Sequence, residues 1–346
     1  MSKLPAGLTV RLDPADEYPH DPGTAKNYNE SMYLNVFDPV RMAGGWFRIG
    51  NRPNERYAEI SVCLYLPDGR IGFIFGRPTI AGNARMDAGG LSIEVVEPFK
   101  RLKVRFQGEV LVLSRPADMA DPKTAFRTNP KLPCTVELDY EGVSPMFGGE
   151  TVRVDGSALE VDPEKSFGKA HYEQHCAARG HFTVGDERFE IDGFGLRDKS
   201  WGPRHWQAIE WYRWCPMNFG RDFGMMLSTI GDGQGGVRQG GMVFKDGRYD
   251  LITECEIESD WDADGYQTAL RSRVKTESGQ IYEVTGEVMS LIPLRNRRMT
   301  AEGTELQTRI TEGMTRYRCG DLVGYGLSEY LDQIVDGQPN GKVAGY

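Results

Sequence analysis

The six cysteines of this chain (Cys63, Cys134, Cys176, Cys215, Cys255 and Cys319) include no C-x-x-C pair. Single scattered cysteines exclude a zinc ribbon and a redox dithiol, and read as small apolar fillers of strands. Long hydrophobic runs are missing too. No apolar stretch approaches the ~18 residues that cross a bilayer, and the N-terminal MSKLPAGLTVRLDPADEY has no apolar leader core. The expectation is a cytoplasmic chain without a transmembrane segment. Positive charge is in deficit: 41 Lys and Arg stand against 50 Asp and Glu, and no basic run exceeds residues 295–298. Neutralising phosphates needs an excess of cations on one face, so nucleic acid is not an expected partner. The glycine-rich run at 231–236 precedes no Lys-Ser/Thr, and Gly193-Phe194-Gly195 lacks the third glycine of a dinucleotide fingerprint. No G-x-S-x-G elbow occurs either, so an α/β-hydrolase and a nucleotide cofactor both drop out.

What the chain does have is a period of two. In residues 57–66 the even positions Ala58, Ile60, Val62, Leu64 and Leu66 are all apolar, and Pro67-Asp68-Gly69 follows as a turn. Leu102, Val104 and Phe106 alternate with basic residues, and Val136, Leu138 and Tyr140 with polar ones. Turn signals at 231–233, 246–247, 264–265 and 278–279 carry the same manner through the second half. Helical spacing is scarce, with short helices conceivable only over 163–174 and 328–335. Many short strands and 42 glycines argue an all-β protein of sandwich or barrel type. A chain of 346 residues suggests two such domains, 1–175 and 176–346, divided after the charged turn at 161–165.

The densest chemistry lies at 193–214. Arg197 and Asp198 are adjacent, so in a strand they point to opposite faces, and a charge turned inward needs a partner. Gly202-Pro203 imposes an extended step. Residues 206–214 read as a strand with Trp206, Tyr212 and Trp214 on one face and Trp211 and Arg213 on the other. Four of six tryptophans thus fall between 201 and 214. Such a cluster either lines a cavity for an apolar ligand or fills a barrel as a rigid plug. His171, His175 and His181 offer H-x-x-x-H, but in a strand His171 and His175 lie ~13 Å apart at ~3.3 Å per residue, so no metal is expected.

Ile191 to Arg204, with Tyr172-Glu173-Gln174 and Gly180 before it, resembles the signature of the carotenoid 1,2-hydratase (hydroxyneurosporene synthase) and AttH-like superfamily. More narrowly, it is similar to a bacterial branch carrying Arg-Asp-His-Ser-Trp-Gly-x-Arg. Residues 29–33 (NESMY), 48–54 (RIGNRPN) and 324–330 (GYGLSEY) extend the resemblance over nearly the whole chain. The resemblance implies two lipocalin-like antiparallel β-barrel or sandwich domains packed side by side. It also implies cofactor-free chemistry on an isoprenoid or polyketide held in an apolar cavity. Two positions depart from the branch: Lys199 stands where it usually has His, and His205 where it often has Asp.

The expected activity is hydration, cyclisation or isomerisation of an alkene in a hydrophobic isoprenoid, polyketide or steroid-like substrate. Asp198 is the candidate acid, provided burial against tryptophans keeps it protonated; Arg197 or Arg204 close by would instead make it an ion-pair partner. His205 is the alternative acid or base. Trp201, Arg204, Trp206, Trp211, Tyr212 and Trp214 are expected around the substrate, with Glu173 and Glu329 as further polar groups. The competing readings are a carrier of an apolar small molecule and a structural β protein with an aromatic plug. A homodimer is compatible with the sequence.

Overall fold

The computed structural model describes residues 4–160, 162–163, 166–231, 235–299 and 303–346. The middle of the glycine-rich loop (232–234) and residues 161, 164 and 165 of the charged turn lie outside the described residues. The chain divides into two compact units. The first runs to Ser114 and resumes over Thr128–Ala208; the second takes Arg115–Arg127 and Ile209–Tyr346.

The first unit is a closed barrel of eight strands: β1 (Tyr28–Asp38), β2 (Ala43–Arg52), β3 (Tyr57–Tyr65), β4 (Ile71–Gly76), β5 (Arg101–Leu113), β6 (Lys131–Gly142), β7 (Ala170–Val184) and β8 (Glu187–Pro203). Each pairs antiparallel with its neighbour in this series, and β8 returns to pair with β1, which leaves no open edge in the ring. The alternating residues of the sequence point inward as expected. Ala58, Ile60, Val62, Leu64, Leu102, Val104, Phe106, Val136, Leu138 and Tyr140 meet in one buried cluster with Met32, Leu34 and Val36 of β1. Each side chain of Leu or Phe size removed from water there contributes about 1.5–3 kcal/mol. The barrel is therefore a packed core. Where β8 crosses β1 the backbones press together: a β-carbon on Gly195 would lie 1.9 Å from the main-chain oxygen of Asn35. Only glycine fits there.

The second unit is also a closed eight-stranded ring: β9 (Trp211–Asn218), β10 (Phe223–Gly231), β11 (Val237–Lys245), β12 (Arg248–Trp261), β13 (Gln267–Thr276), β14 (Ile281–Met299), β15 (Glu305–Cys319) and β16 (Leu322–Val335), with β16 paired back to β9. The all-β, antiparallel expectation holds in both units. No helix among the described residues is long and apolar enough to cross a membrane.

Three local expectations do not hold. Residues 170–174 and 328–335 are strand, not helix. Residues 170–173 pair with 147–150 on one side and with β8 on the other, and residues 329–332 lie between β9 and β15, which outweighs a weak local helical preference. The strand expected over 206–214 starts only at Trp211, because β8 ends at Pro203 and Trp206–Ala208 is a 3-10 turn at the close of the first unit. The division expected between residues 175 and 176 falls inside β7, which runs unbroken through it as half of a long hairpin.

Candidate active site

Strand alternation splits the RDKSW stretch into two roles. Arg197 is paired opposite Leu34 and Lys199 opposite Met32, so both share the inward face of those core residues, as does Trp201. Asp198 and Ser200 point outward.

The inward set closes one end of the first barrel. The Arg197 guanidinium holds both oxygens of Glu17 at 2.6 and 3.1 Å and donates from Nε to Gln174 at 2.9 Å. Tyr172 donates its hydroxyl to the same Glu17. Glu17 arrives on a 3-10 turn (Pro14–Glu17) started by an Asp13 capping box. Lys199 Nζ donates to the carbonyls of Asp16 (2.6 Å) and Tyr18 (2.8 Å) and to Glu30 (2.7 Å), which uses all three of its hydrogens. Trp201 lies under the Lys199 ammonium and stacks on His20 at 4.1 Å; His20 bonds Glu30 in turn. Lys199 and Trp201 are thus parts of a sealed plug.

The plug makes stability depend on acid. Burial works against the Glu30 charge, but bonds from His20 and Lys199 outweigh it and hold its pKa down to about 2. A carboxyl depressed from 4.5 to about 2 contributes about 3 kcal/mol. That contribution is complete above the unfolded value near 4.5 and is lost as pH falls through about 2. We expect thermal melting between pH 7 and pH 2 to show this steep acid limb, and Glu30→Gln to melt lower at pH 7 with a shallower limb. An unchanged limb in the variant would remove Glu30 as its cause.

The outward face gathers a second set of ionisable groups. Glu173 on β7 sits directly opposite Asp198 on β8, and His171, two residues before Glu173, reaches over both. His171 Nε2 is 3.8 Å from Glu173 Oε1 and 3.9 Å from Asp198 Oδ1. Glu173 is buried, whereas Asp198 is 19% exposed at its side chain. The His171 side chain is half exposed, so burial opposes its charge only weakly, and Asp198 and Glu173 raise its pKa above the ordinary imidazole value. The same row continues through Tyr33 on β1 to Arg48 on β2. One row along, Ser31 and Ser200 share a hydrogen bond of 3.0 Å, and Arg204 donates to Ser200 at 2.7 Å. Trp206 lies under the guanidiniums of Arg48 and Arg204, each 5.6 Å from its ring. Beside the carboxylates an aromatic strip crosses the strands: Tyr33 stacks on Trp46 at 5.9 Å, and Trp46 meets Phe73 at 6.2 Å.

Two expected groups are placed differently. Asp198 faces His171 and Glu173, with Trp201 on the opposite side of its strand, so the proposed burial against that ring does not occur. His205 lies in the link after β8, its N–H donating to Ser166 O at 2.9 Å; the imidazole beside Asp198 is that of His171.

In the second unit, β9 splits its residues in the same way. Trp211 and Arg213 face inward with the core residues Cys215 and Met217. Arg213 holds both oxygens of Asp332 at 3.1 Å and packs over Tyr330 and Trp211, and Trp211 stacks on Tyr346 at 4.7 Å. Tyr212 and Trp214 face outward, where the Tyr212 hydroxyl donates to Glu329 and Trp214 lies opposite Glu329 across the strands. The tryptophans of 201–214 therefore form no single wall: they divide between two units and, within each, between two faces. Among the described residues no group of three or more His, Cys, Asp or Glu side chains is arranged to hold a metal ion.

A family model described as a domain of unknown function, DUF7064, matches residues 13–334. The chain belongs to this family. No curated protein matches the sequence. Solved structures similar to this DUF7064 protein include an AttH-designated protein from Nitrosomonas europaea, with a TM-score of 0.59 and 13% identity over 96% of this chain and 99% of that one. Kievitone hydratase from Nectria haematococca follows at 0.53 and 10%, covering 93% of each chain. CghA with Sch210972 aligns at 0.51 and 9%, covering 90% of each. At these identities the likeness is one of fold.

His171 is the group of this DUF7064 site that the sequence reading left without a role. A signal for it exists. The turn Gly185-Asp186 joins Val184 to Glu187, and counting back from it in step pairs Glu173 with Asp198 and His171 with Ser200. Arg48 and Asn29 were visible only as parts of matched segments, and their meeting depends on β1 lying beside β2.

Proposed function

We propose that the outward face of the first barrel is a general acid–base site that adds water to, or shifts, a carbon–carbon double bond in an apolar substrate. The observation that carries this reading is the Glu173–Asp198–His171 constellation, in which two carboxylates on adjacent strands meet one imidazole. Such a set can give a proton on one side of a substrate carbon and accept one on the other. Asp198, the more open carboxyl, gives a proton to the alkene carbon. The π pair forms the new C–H bond, and the cation develops on the neighbouring carbon. Water attacks there and loses its proton to Glu173; His171, which faces both carboxyls, takes that proton from Glu173 and passes one to Asp198, so the site is restored. If Glu173 instead takes a proton from carbon, the result is an isomerised alkene and no water is consumed. The Tyr33–Trp46–Phe73 strip supports an apolar or unsaturated substrate, since ring faces stabilise a developing cation. The fold shared with kievitone hydratase and the sequence likeness to the AttH-like branch add support by analogy.

The test is turnover of a panel of polyenes and prenylated phenols in ¹⁸O-labelled heavy water, followed by mass spectrometry. Hydration adds one labelled oxygen and one deuterium; isomerisation adds deuterium alone. If no panel compound changes mass, or if Asp198→Asn turns over as wild type does, the reading fails. A carrier remains the second reading because of an open groove of about 680 Å³ at one end of the second barrel, where Phe219, Phe223, Tyr282 and Leu322 sit among charged residues including Arg221, Asp222 and Lys245. Tight retention of an apolar ligand, unaltered and indifferent to Asp198→Asn, would favour it.

A further inference from the structure

The outward face of the first barrel holds polar groups that its own chain does not bond. Asn29 is 1% exposed, and neither its amide oxygen nor its amide nitrogen has a hydrogen-bond partner. Arg48 Nη2 is buried on the same face and likewise makes no hydrogen bond. The two groups converge above Gly50. A β-carbon there would lie 2.8 Å from Arg48 Nη2 and 3.0 Å from Asn29 Oδ1, so the glycine makes the room in which they meet. Nearby charges do not satisfy Arg48. Arg77 takes Glu59 at 3.1 Å and Arg52 takes Glu55 at 3.0 Å, which leaves Arg48 at 3.6 Å from Glu59, beyond hydrogen-bond length. Three guanidiniums thus share two carboxylates. The Trp206 ring under Arg48 fixes the plane of the odd one.

A buried amide and a buried guanidinium nitrogen that make no hydrogen bond within the protein point to an acceptor supplied from outside. We propose that Arg48 and Asn29 form the head-group subsite of the active face, and that the substrate is an apolar molecule carrying a carboxylate. Arg48 Nη2 and Asn29 Nδ2 donate to its oxygens. The excess guanidinium makes an anionic oxygen a better occupant than a neutral carbonyl. Arg48 and Asp198 stand two strands apart, on either side of β1, which at ~4.8 Å per strand sets head group and reacting bond about 10 Å apart. This inference rests on the reading of the face as an active site and names the class of molecule it takes.

The experiment is binding of straight-chain alkanoates from C8 to C16, each against its methyl ester, at pH 8, read by tryptophan fluorescence and calorimetry on the full chain. Wild type should prefer acid to ester by tenfold or more at one or more chain lengths. Arg48→Met should erase that preference while changing ester affinity less than twofold, and Arg48→Lys should restore part of it. Asn29→Leu should weaken the acid as well, yet melt at or above wild type, because an unbonded buried amide has been removed. Absence of an acid preference at every length, absence of binding included, overturns the proposal. So does a preference that survives in Arg48→Met of normal melting temperature. The acid–base reading fails separately: Asp198→Asn should keep the acid preference, and a wild type that shows the preference without turnover leaves the subsite standing and removes the chemistry.

Discussion

Arg197→Met lowers the melting temperature of the first barrel by roughly 10 °C. Arg197 is 2% exposed, and it holds Glu17, Gln174 and the ring of Tyr172 in one closed end. Methionine removes the charge and leaves the Glu17 carboxylate buried against the Tyr172 hydroxyl with no cation. Breaking a buried pair on one side costs about 3–5 kcal/mol. For a domain of this size each kcal/mol is worth about 2–4 °C. Arg197→Met combined with Glu17→Leu removes both charges and should recover most of the loss, since an apolar pair of similar volume often matches a buried ion pair. Differential scanning calorimetry decides the matter. A single variant melting within about 2 °C of wild type, or a double variant no better than the single, would contradict the plug described above.

The second large effect falls one residue further on and has the opposite character. Asp198→Asn should reduce turnover by about 10²–10⁴-fold, the usual range for loss of a positioned acid or base, and leave the melting temperature nearly where it was. Asparagine keeps the shape of the side chain, and Asp198 forms no ion pair closer than the 3.9 Å to His171. Lys199→Met reverses the pattern: three donated bonds are lost from a fully buried ammonium, Glu30 is left without its cation, and stability falls. Adjacent residues with opposite readouts are hard to obtain from a site that is wholly structural or wholly catalytic. Loss of activity and stability together in both variants would show that the two faces of β8 are not independent.

The same alternation explains what the sequence could and could not disclose. Period-two patterning marks the inward residues of β3, β5 and β6 because burial on one face is a local property of a strand. It also separates Arg197 from Asp198, since neighbours in a strand must point apart. Partnership is a different kind of fact. Arg197 meets Glu17 and Lys199 meets Glu30 across separations of 180 and 169 residues, fixed only when β8 closes on β1. Without that closure Lys199 reads only as a departure from the branch's usual His; with it, the residue is an anchor on the inward face of β8. The tryptophans mislead for a related reason. Closeness in sequence suggested one wall, whereas Trp201 and Trp211 turn into their barrels and Trp206 and Trp214 do not. Residues 170–174 and 328–335 carry weak helical spacing that strand partners on both sides override.

The order in which this chain is synthesised is at odds with the order in which it can be completed. The ring of the first barrel needs β8, so β1, already paired with β2, keeps its other edge open until β8 is made. Residues 115–127, made long before that, belong with the second unit, where Pro116–Ala120 packs against β14. A nascent chain that has emerged as far as Ala208 therefore owns every strand of one barrel and still carries a segment waiting for partners some 160 residues ahead. Early release or cleavage between the units would leave that segment without the strand it packs against.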